Sequence, residues 1–169
     1  KHECCVEAGK WLEAIQAYHA CVTYTDHQVG RLLDALDASP YSDNTIIVLF
    51  SDHGFHLGEK KSWAKRSLWE RSTRVPLIIS VPGGIKGGRC SRPVELLGLF
   101  PTLNELCGLP QLRGLDGVSV KPLLDNPNAE WIFPALTTFK EGNHAVRSER
   151  FRYIRYANGS EEFYDHLKD

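Results

Sequence analysis

The sequence predicts an α/β fold followed by a small antiparallel sheet, and three observations carry that prediction. Residues 11–38 repeat apolar positions at three-to-four spacing, as an amphipathic helix does. Two short runs, 45–50 and 75–81, are almost unbroken in hydrophobicity. That is the composition of central strands in a largely parallel sheet covered by helices on both faces. Beyond Asn126 the texture changes to short β-type runs, with Asn158-Gly159 as a two-residue hairpin signal.

Taken in order, the long helix places Ala17, Cys21, Tyr24, Val29, Leu32, Leu33 and Leu36 on its apolar side, although Thr25-Asp26 weakens its middle. Ser39-Pro40 stops it and Ser42-Asp43-Asn44 turns the chain. The 45–50 strand follows. In the 75–81 strand Pro76 sits near the start, where a missing N–H is tolerated, and Pro82-Gly83-Gly84 closes it. Residues 94–107 read as helical from Thr102 onward, with Pro101 in the first turn and Gly108 as the stop. Asp125-Asn126-Pro127-Asn128 marks the expected boundary between a segment 1–125 and a smaller one, 126–169. In the latter, strands are expected at 135–139, 145–147, 152–157 and 162–164.

Bulk composition sets outer limits. The 169 residues are 42% hydrophobic and 24% charged, an ordinary globular mix. A net charge of −1 provides no field toward nucleic acid, and no apolar run approaches the ~20 residues of a membrane span. The chain contains no methionine and nothing like a signal peptide at its start, so Lys1 reads as an internal residue of a longer protein. The five cysteines, at 4, 5, 21, 90 and 107, lack metal-type spacing and are odd in number, which excludes complete internal pairing.

Chemistry concentrates where the first buried strand ends. Thr45-Ile46-Ile47-Val48-Leu49-Phe50 runs directly into Ser51-Asp52-His53-Gly54. In open α/β sheets ligands bind beyond the carboxyl ends of strands. A carboxylate oxygen and an imidazole nitrogen there suit a divalent cation of intermediate character. The structural alternative is a loop-capping Asp52 beside a hydrogen-bonded core His53. Gly54 and Gly58 free the backbone around Phe55-His56-Leu57, and Trp63-Ala64-Lys65 follows about a dozen residues after the pair. A lysine at that place can neutralise an anionic oxygen or a leaving group; as a single lysine it is otherwise a surface residue.

These residues carry a family resemblance. Ser51-Asp52-His53-Gly54-Phe55-His56-Leu57-Gly58-Glu59-Lys60, then Trp63-Ala64-Lys65, Leu68-Trp69-Glu70 and Arg74-Val75-Pro76-Leu77-Ile78-Ile79-Ser80-Val81-Pro82-Gly83, resemble a block of the sulfatases. The likeness is to the iduronate-2-sulfatase and choline-sulfatase branch, within the alkaline-phosphatase superfamily. Tyr24-Thr25-Asp26 and residues 29–36 resemble the preceding helix, and Arg152–Tyr156 with Gly159 and Phe163-Tyr164-Asp165 resembles the C-terminal hairpin.

The resemblance implies part of an alkaline-phosphatase-like sheet whose N-terminal half lies outside this chain. It implies Asp52 and His53 as metal ligands and Lys65 as the catalytic lysine that contacts the sulfate group. It implies a divalent metal, calcium first, with manganese or magnesium as alternatives because His53 brings a nitrogen. His56 and Trp63 share the loop without an assigned role, and Arg74 is expected to pack or form an ion pair. The family's formylglycine nucleophile arises in a C-x-P-S-R or C-x-A-S-R pattern that this chain lacks; Cys90-Ser91-Arg92-Pro93 has the letters in another order. The early Asp-Asp ligands and a further histidine are also missing.

The expected partners are a sulfated small molecule or saccharide and the N-terminal part of the same enzyme, with no nucleic acid and no membrane span. Periplasmic, secreted or lysosomal placement follows from the resemblance alone. Two alternatives stand beside the sulfatase reading: a phosphonate or phosphate ester hydrolase of the same superfamily, and a non-catalytic truncated chain. Arg147, Arg150, Arg152 and Arg155 interleave with Phe151, Tyr153 and Tyr156, which reads as an exposed sheet face rather than a base-stacking platform. Asn158-Gly159-Ser160 fits a glycosylation acceptor and fits a hairpin turn better. With strands apolar on both faces and few helices to cover them, exposed apolar surface is expected as well.

Overall fold

The computed structural model describes residues 2–168; Lys1 and Asp169, the outer bounds of the two expected segments, lie outside them. Two compact units form. One is built from the chain up to Arg66 together with Glu70–Pro82, the other from Ser67–Trp69 together with the chain from Gly83 onward. Asn126 falls inside the second unit.

The first unit opens with a short helix α1 (His2–Glu7) and the long helix α2 (Trp11–Asp37). Thr25 does not break α2. Thr23 and Thr25 donate their hydroxyls to the carbonyls of His19 and Cys21 at 3.1 and 2.9 Å, so each side chain stays within the helical hydrogen-bond pattern. Ser39 Oγ donates to the Leu36 carbonyl at 2.7 Å where the helix ends. Then come β1 (Ile47–Phe50), β2 (His56–Leu57), β3 (Trp63–Ala64), α3 (Glu70–Thr73) and β4 (Leu77–Ser80).

The two apolar runs pair with each other, and they do so antiparallel, with Ile47 opposite Ser80 and Phe50 opposite Leu77. This corrects the parallel arrangement expected from composition. Leu49, Phe50 and Ile78 are exposed, in line with the apolar surface expected where too few helices cover these strands. A two-stranded ladder leaves one backbone edge of each strand and most of both faces without neighbours. Pro76 stands just before β4, and its carbonyl accepts the Ser51 N–H at 3.3 Å, extending the ladder to the start of the Asp52 loop.

The second unit contains α4 (Leu99–Leu106), α5 (Lys121–Asp125) and the strands β5 (Ala135–Thr138), β6 (His144–Arg147), β7 (Phe151–Arg155) and β8 (Glu161–Asp165). Helix α4 begins three residues before Thr102, with Pro101 still in its first turn. Thr102 is interior because its hydroxyl donates to the Gly98 carbonyl and accepts the Val120 N–H, at 2.6 and 2.8 Å.

The four strands form an antiparallel meander in chain order. Its inner face packs Ala145 and Ile154 on Leu68, with Trp69, Phe139, Tyr156 and Tyr164 around them. Strand β7 alternates as its period demands: Phe151, Tyr153 and Arg155 face out, while Arg152 and Ile154 face in. Arg152 is therefore not part of the exposed face; it donates to the Leu68 carbonyl at 2.7 Å. Glu162 accepts from Trp69 Nε1 at 2.8 Å, from the Tyr156 hydroxyl at 2.9 Å and from the Tyr164 hydroxyl. Burial together with that carboxylate pushes the Tyr156 hydroxyl up to about 12.

The Asn158-Gly159 turn is one residue longer than expected. Tyr156 N–H donates to the Ser160 carbonyl, and Gly159 N–H to the Tyr156 carbonyl, both at 2.9 Å. Only Gly159, with φ at +82°, is left-handed. Asn158 instead uses its side-chain oxygen to accept the Ser160 N–H at 3.0 Å. All five cysteines are free thiols.

Candidate functional site

The loop between β1 and β2 is shaped by its backbone before any ligand is considered. Ser51 Oγ donates to the His53 carbonyl at 2.7 Å, and Gly54 N–H donates to the Ser72 carbonyl at 2.8 Å. Gly54 lies so close to α3 that a Cβ there would stand 1.9 Å from the Arg71 carbonyl oxygen. Only glycine permits that approach.

His53 and Asp52 meet at the outer side of this turn. His53 Nδ1 is 2.8 Å from the Gly54 carbonyl, which can only accept, so Nδ1 carries the hydrogen of the neutral ring. Nε2 then keeps its lone pair, and it lies 3.5 Å from Asp52 Oδ1. The Asp52 side chain is 79% exposed and that of His53 32%. A nitrogen and an oxygen donor 3.5 Å apart and open to solvent, with the ring fixed by a backbone carbonyl, fit two ligands of one divalent cation. Two donors alone do not make a metal site, and among the described residues no group of three or more His, Cys, Asp or Glu side chains could hold a metal ion.

Strands β2 and β3 form a tight hairpin, with His56 opposite Ala64 and Leu57 opposite Trp63. Lys65 follows Ala64, the last residue of the ladder. Its side chain is exposed. Ala64 is left-handed at φ +71°, as are Lys60 and Lys61 at +52° and +54°. Such conformations in non-glycine residues cost of order 1–3 kcal/mol each and persist only where surroundings enforce them. The kink at Ala64 turns the chain out of the ladder immediately before the lysine.

Residues without a sequence-assigned role hold this hairpin. Glu59 Oε2 accepts the Leu57 N–H at 2.7 Å, and Glu59 Oε1 is 3.4 Å from Arg71 Nε. Burial pushes the Glu59 carboxyl up, but the Leu57 N–H, its own N–H and Arg71 outweigh that and hold it below the ordinary range. Trp63 Nε1 donates to His2 Nδ1 at 3.3 Å. Arg74 is exposed, and its N–H donates to the Glu70 carbonyl at 2.8 Å. Its exposure departs from the packing half of the expectation for Arg74, packing or an ion pair.

His56 is the buried member of the loop, 1% exposed. Burial lowers its pKa below the ordinary 6.5, assisted by Arg71 and Lys60 and opposed by Glu59. A lowered folded-state value means the folded chain resists protonation more than the unfolded chain does. The resulting stability is fully present above 6.5 and is lost as pH falls through the lowered folded value. Thermal midpoints measured between pH 8 and pH 5 should therefore fall on acidification, and His56→Gln should flatten that dependence. An unchanged slope in the variant would show that His56 does not carry it.

A family model described as Sulfatase matches residues 4–109, and one described as N-sulphoglucosamine sulphohydrolase, C-terminal, matches residues 58–169. A protein named sulfatase from Formosa agariphila is 45% identical over 99% of this chain and 33% of its own length. Human iduronate 2-sulfatase is 36% identical over 81% of this chain and 27% of its own. A solved structure described as a complex with its substrate D-glucosamine-2-N,6-O-disulfate superimposes with a TM-score of 0.82 at 32% identity. It covers 95% of this chain and 35% of that one. The chain thus spans about a third of the length of the relatives it matches.

Proposed function

The chain belongs to the sulfatase family, and on that premise we propose that it forms the C-terminal part of a metal-dependent sulfuric ester hydrolase acting on a sulfated sugar. The observation that carries the proposal is the Asp52–His53 pair, whose Oδ1 and Nε2 lie 3.5 Å apart with the ring held by the Gly54 carbonyl; Lys65 follows at the end of the β2–β3 hairpin. A sugar sulfate is favoured because one structurally similar relative is described in complex with a disulfated glucosamine.

In this reading Asp52 Oδ1 and His53 Nε2 supply two ligands to a divalent cation, calcium first and manganese or magnesium as alternatives. The cation, when bound, polarises the sulfate oxygens. Gly54 keeps His53 in the tautomer whose Nε2 can ligate. Lys65 brings a positive charge to the sulfate group and to the departing oxygen, where charge grows in the transition state. The formylglycine nucleophile has no counterpart among these residues and comes from a part of the parent protein outside them. Periplasmic, secreted or lysosomal placement belongs to the same proposal; among the described residues no helix is long and apolar enough to cross a membrane.

An assay with a chromogenic aryl sulfate tests this directly. The protein encoded by the complete reading frame should release the chromophore in a metal-dependent manner. The 169-residue chain alone should release none, because it lacks the covalent nucleophile. A parallel arm with an aryl phosphonate ester addresses the other superfamily chemistry: preferential turnover there would replace the sulfatase assignment. Robust turnover by the isolated chain would show that the nucleophile had been placed wrongly.

A further inference from the structure

Trp11 and Tyr18 lie seven positions apart on α2, two helical turns, and so share one side of the helix. Both reach the loop that carries the candidate site. The Trp11 indole N–H donates to the Leu57 carbonyl at 2.7 Å, and the Tyr18 ring lies 5.1 Å from that of Phe55. Gly58 completes the fit. With φ at +114°, it presses so closely on the indole that a Cβ there would stand 2.5 Å from Trp11 Cζ2.

Leu57 is held in an unusual way. Its N–H goes to Glu59 and its carbonyl to Trp11, so side chains rather than ladder partners take both of its main-chain groups. A strand of two residues has little ladder of its own to hold it in place. Across from Leu57 stands Trp63, across from His56 stands Ala64, and Lys65 comes next. Trp11 remains 39% exposed, so ring burial alone does not explain its placement. Toward the β2–β3 hairpin its specific contacts are one hydrogen bond and one glycine-shaped surface, and the His2 ring meets it edge-on at 5.0 Å.

We propose that Trp11 is a positioning residue: by gripping the Leu57 carbonyl, α2 sets where the β2–β3 hairpin holds Lys65 relative to Asp52 and His53. The inference rests on the site reading above, and its test separates the two. The 169-residue chain, labelled for amide NMR, is titrated with Mn²⁺ alone, and exchange of the hairpin amides is recorded alongside. Paramagnetic broadening falls with the sixth power of distance. A displacement of about 1 Å, an amount that matters to a catalytic site, therefore changes the Lys65-to-His53 broadening ratio about twofold.

Two variants approach the grip from opposite sides. Trp11→Phe removes the N–H and keeps a ring, while Gly58→Ala keeps the indole and pushes it away. Both should lower the ratio about twofold, and both should speed exchange of the Gly58 and Ser62 amides about tenfold, the worth of one hydrogen bond. Leu12→Ala, on the exposed side of the same helix turn, should change neither. A lower melting temperature with ratio and exchange unaltered would mean a merely stabilising contact, and would overturn the proposal. Absence of broadening at Asp52 and His53 in the unmodified chain would instead show that these two ligands alone do not hold the ion. Amide exchange in the two variants would then decide the positioning role alone: faster exchange supports it, and unchanged exchange overturns it.

Discussion

Lys65→Ala, made in the protein encoded by the complete reading frame, should lower kcat for an aryl sulfate about 100- to 1,000-fold. The expectation follows from where the charge is held. Lys65 leaves the β2–β3 ladder at a left-handed Ala64, is exposed, and is proposed to face the loop of Asp52 and His53. A charge kept there for transition-state stabilisation acts on growing negative charge more than on the bound ester, so kcat should fall further than KM rises. Lys65→Arg keeps the charge but substitutes a planar fork for a compact ammonium, and should recover only part of the rate. Asp52→Ala should fail differently, with activity returning in part at high metal concentration. A Lys65→Ala enzyme whose kcat stays near that of the unmodified protein would remove the lysine from the mechanism.

Gly54→Ala should be the most damaging small change in the first unit, destabilising it by about 3 kcal/mol, as overpacking plus a broken hydrogen bond does. The added Cβ would stand 1.9 Å from the Arg71 carbonyl oxygen and 3.2 Å from that of Arg74. Backbone atoms cannot swing aside as a flexible side chain can, so the loop itself must move. That movement breaks the Gly54 N–H bond to the Ser72 carbonyl. It also shifts the Gly54 carbonyl that orients His53. Denaturant unfolding checks the stability, and Mn²⁺ broadening at His53 checks the geometry. The two should fall together; full stability with intact broadening would show that the close approach is dispensable.

Local signals proved legible to the degree that their causes are local. The change from unbroken hydrophobicity to Ser51-Asp52-His53-Gly54 located the strand end and the candidate ligands. The long helix ended within a residue of its expected limit because Ser39-Pro40 acts on the chain next to it. The four C-terminal strands fell close to their expected positions, since β alternation and an Asn-Gly turn are properties of a few neighbouring residues. At that turn side-chain chemistry changed the detail: Asn158 could hold the Ser160 N–H from an ordinary conformation, leaving glycine alone to turn left-handed. The family resemblance rested on short runs of the same kind.

Tertiary structure decided what lies opposite each of these elements. Two apolar runs look alike whether they pair parallel or antiparallel, because composition reports which faces avoid water and not which strand arrives beside them. The antiparallel pairing of β1 with β4 therefore had no signature in the sequence, and only the structure shows that Leu49, Phe50 and Ile78 are among the exposed apolar residues. The same holds for Trp11, whose indole bonds to a carbonyl 46 residues away, and for Gly54, whose necessity comes from the Arg71 carbonyl. Hydrogen bonds and close approaches across such separations depend on the path of the whole chain, whereas the patterns that revealed Asp52, His53 and Lys65 are written in consecutive residues.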